Sequence, residues 1–132
     1  MLSNKPYLMR AFYDWIVDSG CTPFLVINTY FPRCNVPKEF IGKNGEITLN
    51  ISPTAIRDLK ITKDLIEFRA SFSGIIHIIS APVKAVLAVY AQENQQGLFF
   101  DYEEPNTENS GGSGEISIDT SSKRKPTLKL VK

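Results

Sequence analysis

The chain has 132 residues, which is the length of one ordinary domain and too short for two full hydrophobic cores. Its 15 Lys and Arg against 14 Asp and Glu leave a net charge of +1, which argues against binding nucleic acid through bulk charge. No apolar run reaches the roughly 18 residues of a membrane span and the first residues lack the apolar core of a signal peptide, so we expect a cytoplasmic protein.

The first predicted element is a helix with apolar side chains around most of its circumference. Pro6 suits the first turn of a helix, and Gly20 suits the position that ends one. The i, i+4 rows between them are Tyr7, Ala11 and Trp15; Leu8, Phe12 and Ile16; Met9, Tyr13 and Val17; and one polar row, Arg10, Asp14 and Asp18. An ordinary surface helix has a single apolar stripe, so this helix needs a second covering surface, most simply the same helix of another copy. The alternative is a helix sunk deeply into its own core.

Five strands joined by short turns are predicted after the helix. They are residues 23–28, 47–51, 65–72, 75–79 and 97–100. Asn44-Gly45 is a turn signal that leads into the strand at residues 47–51, and Ser73-Gly74 is a tight connection. Residues 52–55 are predicted to form a turn, and Pro82 to open a short helix that ends near Asn94. The pattern predicts a mainly β fold with an N-terminal helix, arranged as a small, strongly curved antiparallel barrel.

The composition changes after Tyr102. Residues 103–122 carry five acidic and no basic side chains and include a Gly-Gly-Ser-Gly run, so they cannot bury enough apolar surface to offset their ordering entropy. We expect a flexible linker here. Residues 123–132 hold five basic side chains and end in the apolar heptad 126–132. Charge sorted in this way is typical of an interaction tail, so the heptad is interpreted as a short docking motif; the alternative is a solvated tail.

The residues that could carry chemistry do not form a recognisable catalytic set. His77 lies inside an apolar strand, without Cys, Asp or Glu at metal-ligand spacing. Cys21 and Cys34 are too few for a disulfide scaffold and are expected to remain thiols. The sequence contains no Cys-x-x-Cys, P-loop or Gly-x-Gly-x-x-Gly motif. We therefore expect a protein that is not an enzyme and that holds no metal and no cofactor.

Peptide binding is the function that the strand composition favours. A small barrel with an accessible sheet can bind a peptide along a strand edge or in a groove. Residues 68–72 combine the rings of Phe68 and Phe72 with the small Ala70 and Ser71, which leave room for a ligand backbone. The alternative is that both rings belong to the core.

Several segments closely resemble the stringent starvation protein B family. They are residues 6–15, 47–52, 68–74 and 86–94, and the heptad 126–132 resembles the docking motif that ends chains of that family. The resemblance covers nearly the whole folded part, and the linker does not align.

The resemblance implies a dimeric proteolysis adaptor. Members of the family bind the ssrA tag, which the transfer-messenger RNA system appends to proteins from stalled ribosomes, and deliver the tagged protein to the ClpXP protease. By this resemblance, residues 1–102 form an Sm-like barrel that binds the tag and dimerises through its leading helix. Residues 103–125 form the linker, and residues 126–132 dock on the zinc-binding N-terminal domain of ClpX.

The resemblance also implies a role for individual residues. The tag groove is assigned to Leu49, Asn50, Ile51, Ser52, Ala55, Phe68, Ala70, Ser71, Phe72 and Ser73. Docking on ClpX is assigned to Leu128, Lys129, Leu130, Val131 and Lys132. The dimer interface is assigned to Tyr7, Leu8, Ala11, Phe12 and Trp15. Ser71 stands where the family has Arg, and Arg69 is expected to point to the opposite face, so a contact with an acidic part of the tag is expected to be lost.

An RNA-binding Sm-like module is the alternative that the fold alone allows. Readers of single-stranded RNA need basic tracks beside exposed aromatic rings. Residues 1–102 hold ten basic and nine acidic side chains, a balance of +1. We therefore do not expect nucleic acid as a partner.

Overall fold

One helix and two antiparallel sheets make up residues 2–101 and 116–119, which are the residues that the computed structural model describes. The helix α1 is Lys5–Asp18. The strands are β1 Pro23–Asn28, β2 Glu46–Asn50, β3 Ile56–Ile61, β4 Leu65–Phe72, β5 Ile75–Pro82, β6 Val86–Ala91, β7 Gly97–Phe100 and β8 Ile116–Asp119. Single 3₁₀ turns lie at Lys38–Phe40 and Val83–Ala85. No helix in this described part has the length and apolar character needed to cross a membrane.

The helix ends at the glycine that the sequence predicts. Gly20 adopts a φ of +79°, which an L side chain would disfavour. Its N–H donates to the carbonyl of Val17, and the N–H of Cys21 donates to that of Ile16, both at 3.0 Å. This pair of bonds satisfies carbonyls that a helix end would otherwise leave unpaired. The helix packs against β1, β3, β6 and β7.

The hydrophobic core draws side chains from the helix and from both sheets. Its fully buried members include Met9 and Ile16 of α1, Leu25 and Ile27 of β1, Ile47 of β2, Ile66 and Phe68 of β4, Ile79 of β5, and Val86 and Val89 of β6. One core therefore holds the two sheets together and fixes β4 and β5 against the rest of the domain.

The two sheets are not closed into a barrel within the described residues. One sheet has the strand order β2-β1-β6-β7-β8 and the other has the order β3-β4-β5. Pro53 and Pro82, at the two corners where the chain passes between the sheets, have no N–H to donate to a continuous ladder. The mainly antiparallel β fold with its N-terminal helix is confirmed, whereas the predicted barrel closure is not found.

Strand β6 replaces the short helix that the sequence predicts between Pro82 and Asn94. Val86–Ala91 lies in the middle of its sheet, paired with β1 on one side and β7 on the other. Both of its faces are covered, so its side chains do not alternate between polar and apolar. A short apolar run of this kind cannot be assigned to helix or strand by periodicity alone.

Two strands lie where none is predicted. Half of the residues of β3 are charged and exposed, and its register shifts between Arg57 and Lys60, where Asp58 has a φ of +58°. β8 pairs antiparallel with β7, from Gly97 opposite Asp119 to Phe100 opposite Ile116. The flexible-linker interpretation therefore does not extend to residues 116–119. The rest of the predicted linker and the docking heptad lie outside the described residues.

Candidate functional site

Strand β4 sorts its side chains between a buried face and an exposed one. Ile66 and Phe68 are buried to about the same degree, with 1% of each exposed. Ala70 and Phe72 continue that face towards the β4–β5 hairpin and are half-buried. The inner face of the second sheet therefore runs from the core to an accessible end.

Arg69 and Ser71 share the other, exposed face of β4. The expectation that Arg69 points away from the face of Ser71 is wrong, because residues two apart in a strand point to the same side. The Nε atom of Arg69 lies 3.5 Å from Oδ2 of Asp58, with 58% and 65% of the two side chains exposed. A pair so open to water contributes at most about 1 kcal/mol, so the guanidinium is available to another carboxylate.

Three aromatic rings line the accessible end of the inner face. The Phe72 ring centroid lies 5.2 Å from that of Phe40 and 5.4 Å from that of His77. His77 stands directly opposite Ala70 in the register of β4 and β5. We call Phe40, Phe72 and His77 the aromatic wall. With the small Ala70 beside it, the wall offers apolar surface and space for a ligand backbone.

Phe40 and His77 belong to the aromatic wall but are not among the predicted groove residues. Phe40 comes from the 3₁₀ turn after β1 and is distant in sequence from β4, yet 46% of it remains exposed. The one sequence signal that could have indicated this exposed ring is an apolar residue in a loop flanked by Pro and Gly. His77 lies within an isoleucine-rich strand, where a single histidine gives no sequence signal for a binding site.

The turn between β2 and β3 is fixed by a set of short hydrogen bonds. The side-chain oxygen of Asn50 accepts from the N–H of Ser52 at 2.9 Å, and the carbonyl of Ser52 accepts from the N–H of Ala55 at 2.8 Å. The chain then enters β3, where Ile56 pairs with Ala70. This register brings residues 52–55 next to the same accessible end of β4.

The predicted groove residues divide into three classes by exposure. Leu49, Ile51 and Phe68 are buried core side chains. Ser52, Ala70 and Phe72 are half-buried, and Asn50, Ala55, Ser71 and Ser73 are exposed. The buried three therefore position the site, and the accessible ones are those that a ligand can touch.

The accessible groups at this end of the sheet are aromatic rings, small side chains and hydroxyls. The described residues contain no cluster of three or more His, Cys, Asp or Glu that could hold a metal ion. Burial raises the pKa of the Cys34 thiol, which disfavours the reactive thiolate.

The predicted dimer face of α1 stands away from the core. Tyr7 and Trp15 are 59% and 48% exposed, and Ala11 is also exposed. Leu8 and Phe12 are half-buried, and the Phe12 ring contacts that of Trp15 edge-to-face at 5.5 Å. The helix is therefore not sunk entirely into its own core, and two large aromatic side chains remain open to a second surface.

Comparison with known proteins gives a consistent result over nearly the whole chain. The profile of the family described as Stringent starvation protein B matches residues 3–130. A protein named Stringent starvation protein B homolog, from Haemophilus influenzae, is 41% identical over 134 residues, which cover 96% of this chain and 88% of that protein.

Proposed function

The chain belongs to the stringent starvation protein B family, and from that premise we propose that it is a proteolysis adaptor. It binds the ssrA tag carried by proteins from stalled ribosomes and delivers these proteins to the ClpXP protease in the cytoplasm. It performs no chemistry of its own on the cargo.

The aromatic wall is the observation that supports this proposal most strongly. The rings of Phe40 and Phe72 are apolar yet partly exposed, and the His77 ring, which contacts that of Phe72, stands opposite the small Ala70 at the accessible end of the sheet. Ligand sites in proteins combine an apolar lining with a few placed polar groups. Ser52 lies in the turn that leads to this end of β4 and supplies a hydroxyl, so an extended peptide finds both kinds of contact there.

A homodimer is the second part of the proposal. The exposed side chains of Tyr7, Ala11 and Trp15 form one row of α1. The same patch on two copies is self-complementary about a two-fold axis. Because large aromatic side chains dominate the binding energy of protein interfaces, this row is the surface we assign to dimerisation.

Delivery depends on the C-terminal heptad. We assign Leu128, Lys129, Leu130, Val131 and Lys132 to docking on the N-terminal domain of ClpX. Residues 120–125 separate the heptad from β8 and span at most about 20 Å when fully extended. Tethering makes the second binding step intramolecular and raises its effective concentration, and a dimer carries two such tails.

Binding of a fluorescent ssrA tag peptide, followed by anisotropy, tests the proposal. The full chain is expected to bind the tag saturably and not to bind a scrambled peptide of the same composition. Equal binding of both peptides would overturn the assignment. Tight binding of single-stranded RNA that weakens steeply with salt would instead favour the RNA-binding alternative.

A further inference from the structure

Strand β5 forms one edge of the three-stranded sheet, and part of that edge is open. β5 pairs with β4 in one continuous register, from Phe72 opposite Ile75 to Leu65 opposite Pro82. On its other side, Ser80 exchanges two backbone hydrogen bonds with Asn35, at 2.7 and 3.1 Å. This bridge shows that the edge accepts an extended backbone as its partner.

The bridge also determines which backbone groups of β5 point outward. Alternate residues of a strand direct their N–H and C=O to the same side, so Ile76 and Ile78 face the free side together with Ser80. The side-chain amide of Asn35 donates to the carbonyl of Ile78 at 2.8 Å. In residues 2–101 and 116–119, the N–H of Ile78 and both backbone groups of Ile76 have no partner on that side. We call residues 76–78 the open edge.

The open edge carries large apolar side chains. Ile76 is 70% exposed and Ile78 is 50% exposed, and both lie on the same face of the sheet. Edge strands are normally protected by charge, proline or a bulge. Residues 75–79 contain none of these, and their register with β4 is unbroken. An edge with free hydrogen-bonding groups and exposed β-branched side chains is suited to pairing with another extended chain.

The open edge is continuous with the candidate groove. His77 lies between Ile76 and Ile78 in the chain, and its ring contacts Phe72 of the aromatic wall. A peptide seated on the wall therefore has the free side of β5 within reach at the hairpin end of the sheet. A short further stretch of the same chain is enough to follow the edge.

The charges beside the open edge favour an acidic partner over a basic one. Arg57, Arg69 and Ile78 stand in one cross-strand row. Asp58 is the carboxylate paired with Arg69 in this row, and that pair is exposed. Ile78 lies between an added strand and Arg69, and Arg57 lies one strand further away. The long side chain of Arg69 is therefore the nearer cation, which would attract a glutamate on the added strand and repel a lysine.

We propose that the open edge binds an extended segment of the cargo polypeptide next to its tag, by adding that segment as a further strand of the sheet. Apolar side chains of the segment pack on Ile76 and Ile78, and acidic residues are preferred to basic ones. The inference rests on the proposed function and adds a second, sequence-tolerant contact, because backbone hydrogen bonds do not select side chains.

The test compares three fluorescent peptides on the full chain. They are the tag alone, the tag extended at its N-terminal end, where the cargo lies, by Val-Thr-Val-Thr-Val-Glu, and the tag extended at the same end by Gly-Ser repeats of the same length. The Val-Thr extension is expected to raise affinity about fivefold to tenfold, as a few net backbone hydrogen bonds would. Exchanging its Glu for Lys is expected to remove part of that gain, and the Gly-Ser extension is expected to add little.

The Ile76→Pro variant separates the edge from the groove. The N–H of Ile76 points outward, so proline removes a group needed by an added strand but none needed by the β4–β5 ladder. We expect the gain from the extension to disappear while the tag alone binds as before; Ile76→Val, which keeps the N–H, is the matched control. Ile78→Lys, which adds a cation and no backbone change, is expected to reduce the gain as well.

The outcomes distinguish this inference from the proposed function. The role of the open edge is overturned if the tag binds but the Val-Thr extension does not raise its affinity. It is also overturned if the gain in affinity survives in both Ile76→Pro and Ile78→Lys. Self-association that Ile76→Pro abolishes, without a gain from the extensions, assigns the edge to a second copy and also overturns it. Failure of the tag itself to bind overturns the proposed function instead.

Discussion

The ring of Phe72 in β4 lies 5.4 Å from the ring of His77 in β5, at an angle of 67°. The two residues belong to adjacent strands of one hairpin, closed by Ser73 and Gly74, which have φ angles of +54° and +81°. An edge-to-face contact of aromatic rings contributes about 0.5–1.5 kcal/mol beyond its buried area, which favours this arrangement of the two side chains in the free chain.

Replacing Phe72 by Ala is expected to weaken binding of the tag peptide about tenfold or more, because aromatic anchors dominate peptide and protein interfaces. The matched control is Phe99→Ala, which removes a half-buried ring that stacks on Tyr90 at 5.7 Å in the other sheet. Both variants are expected to lower the melting temperature, but Phe99→Ala should leave tag affinity unchanged. Equal losses of affinity in the two variants would remove the aromatic wall from the site.

Restoring a cation at position 71 is expected to tighten binding of a tag with an acidic part. The new guanidinium of Ser71→Arg joins that of Arg69 on the same exposed face of β4. The expected gain is about twofold to fivefold at low salt, which corresponds to an exposed ion pair, and it should shrink as salt is added. Ser71→Gln has a similar length without the charge, and the prediction fails if it binds as tightly as Ser71→Arg.

The Trp15→Glu variant tests the dimer face. Trp15 is 48% exposed in the single chain, so the variant is expected to keep its fold while weakening self-association about tenfold or more, because a buried charge at the centre of an interface is unfavourable. Sedimentation velocity measures the change, and circular dichroism checks the fold. Tyr30→Glu changes an exposed aromatic residue outside the helix, 61% exposed, and is expected to leave the dimer intact. A Trp15→Glu chain that remains dimeric contradicts the assignment.

Acid sensitivity is expected at the contact between Thr22 and Glu93. The backbone N–H of Thr22 donates to Oε1 of Glu93 at 2.8 Å and its hydroxyl donates to Oε2 at 2.7 Å. These bonds, the backbone one first, lower the pKa of Glu93. A carboxyl group with a lowered pKa stabilises the fold above its ordinary pKa of about 4.3, and that contribution is lost as the pH falls through the folded-state value.

Thermal melts from pH 7 to pH 3 check this expectation. Glu93→Gln should flatten the fall in melting temperature below about pH 4.3. The control is Glu39→Gln, because the Glu39 side chain has no hydrogen-bond or ion-pair partner in the described part of the chain. If the melting temperature falls at low pH by the same amount in Glu93→Gln and in the unaltered chain, the contact between Thr22 and Glu93 does not contribute to the acid sensitivity of the fold.

The elements that the sequence predicts correctly are those with local signals. The helix start at Pro6 and its end at Gly20, the period-two strands, and the turns at Asn44-Gly45 and Ser73-Gly74 depend on residues close to one another in sequence. β6 was mistaken for a helix because a strand covered on both faces has no polar alternation. β3 was missed because its exposed charges and its bulge at Asp58 resemble a loop.

The candidate site was predictable only in part, because exposure depends on how the sheets pack. The sequence identified β4 as its centre, but it did not separate buried Phe68 from accessible Phe72, which are four residues apart on the same face. It also missed Phe40, which reaches β4 through a loop. Such long-range contacts have no local sequence signature.

Degradation of a tagged fluorescent protein by ClpXP, at cargo concentrations below saturation, tests the division between cargo binding and delivery most directly. The chain ending at residue 125 lacks the heptad but keeps every described residue. It is expected to bind the tag as the full chain does and to leave the degradation rate at its basal level, whereas the full chain accelerates degradation. Acceleration by the shortened chain equal to that by the full chain would contradict the account.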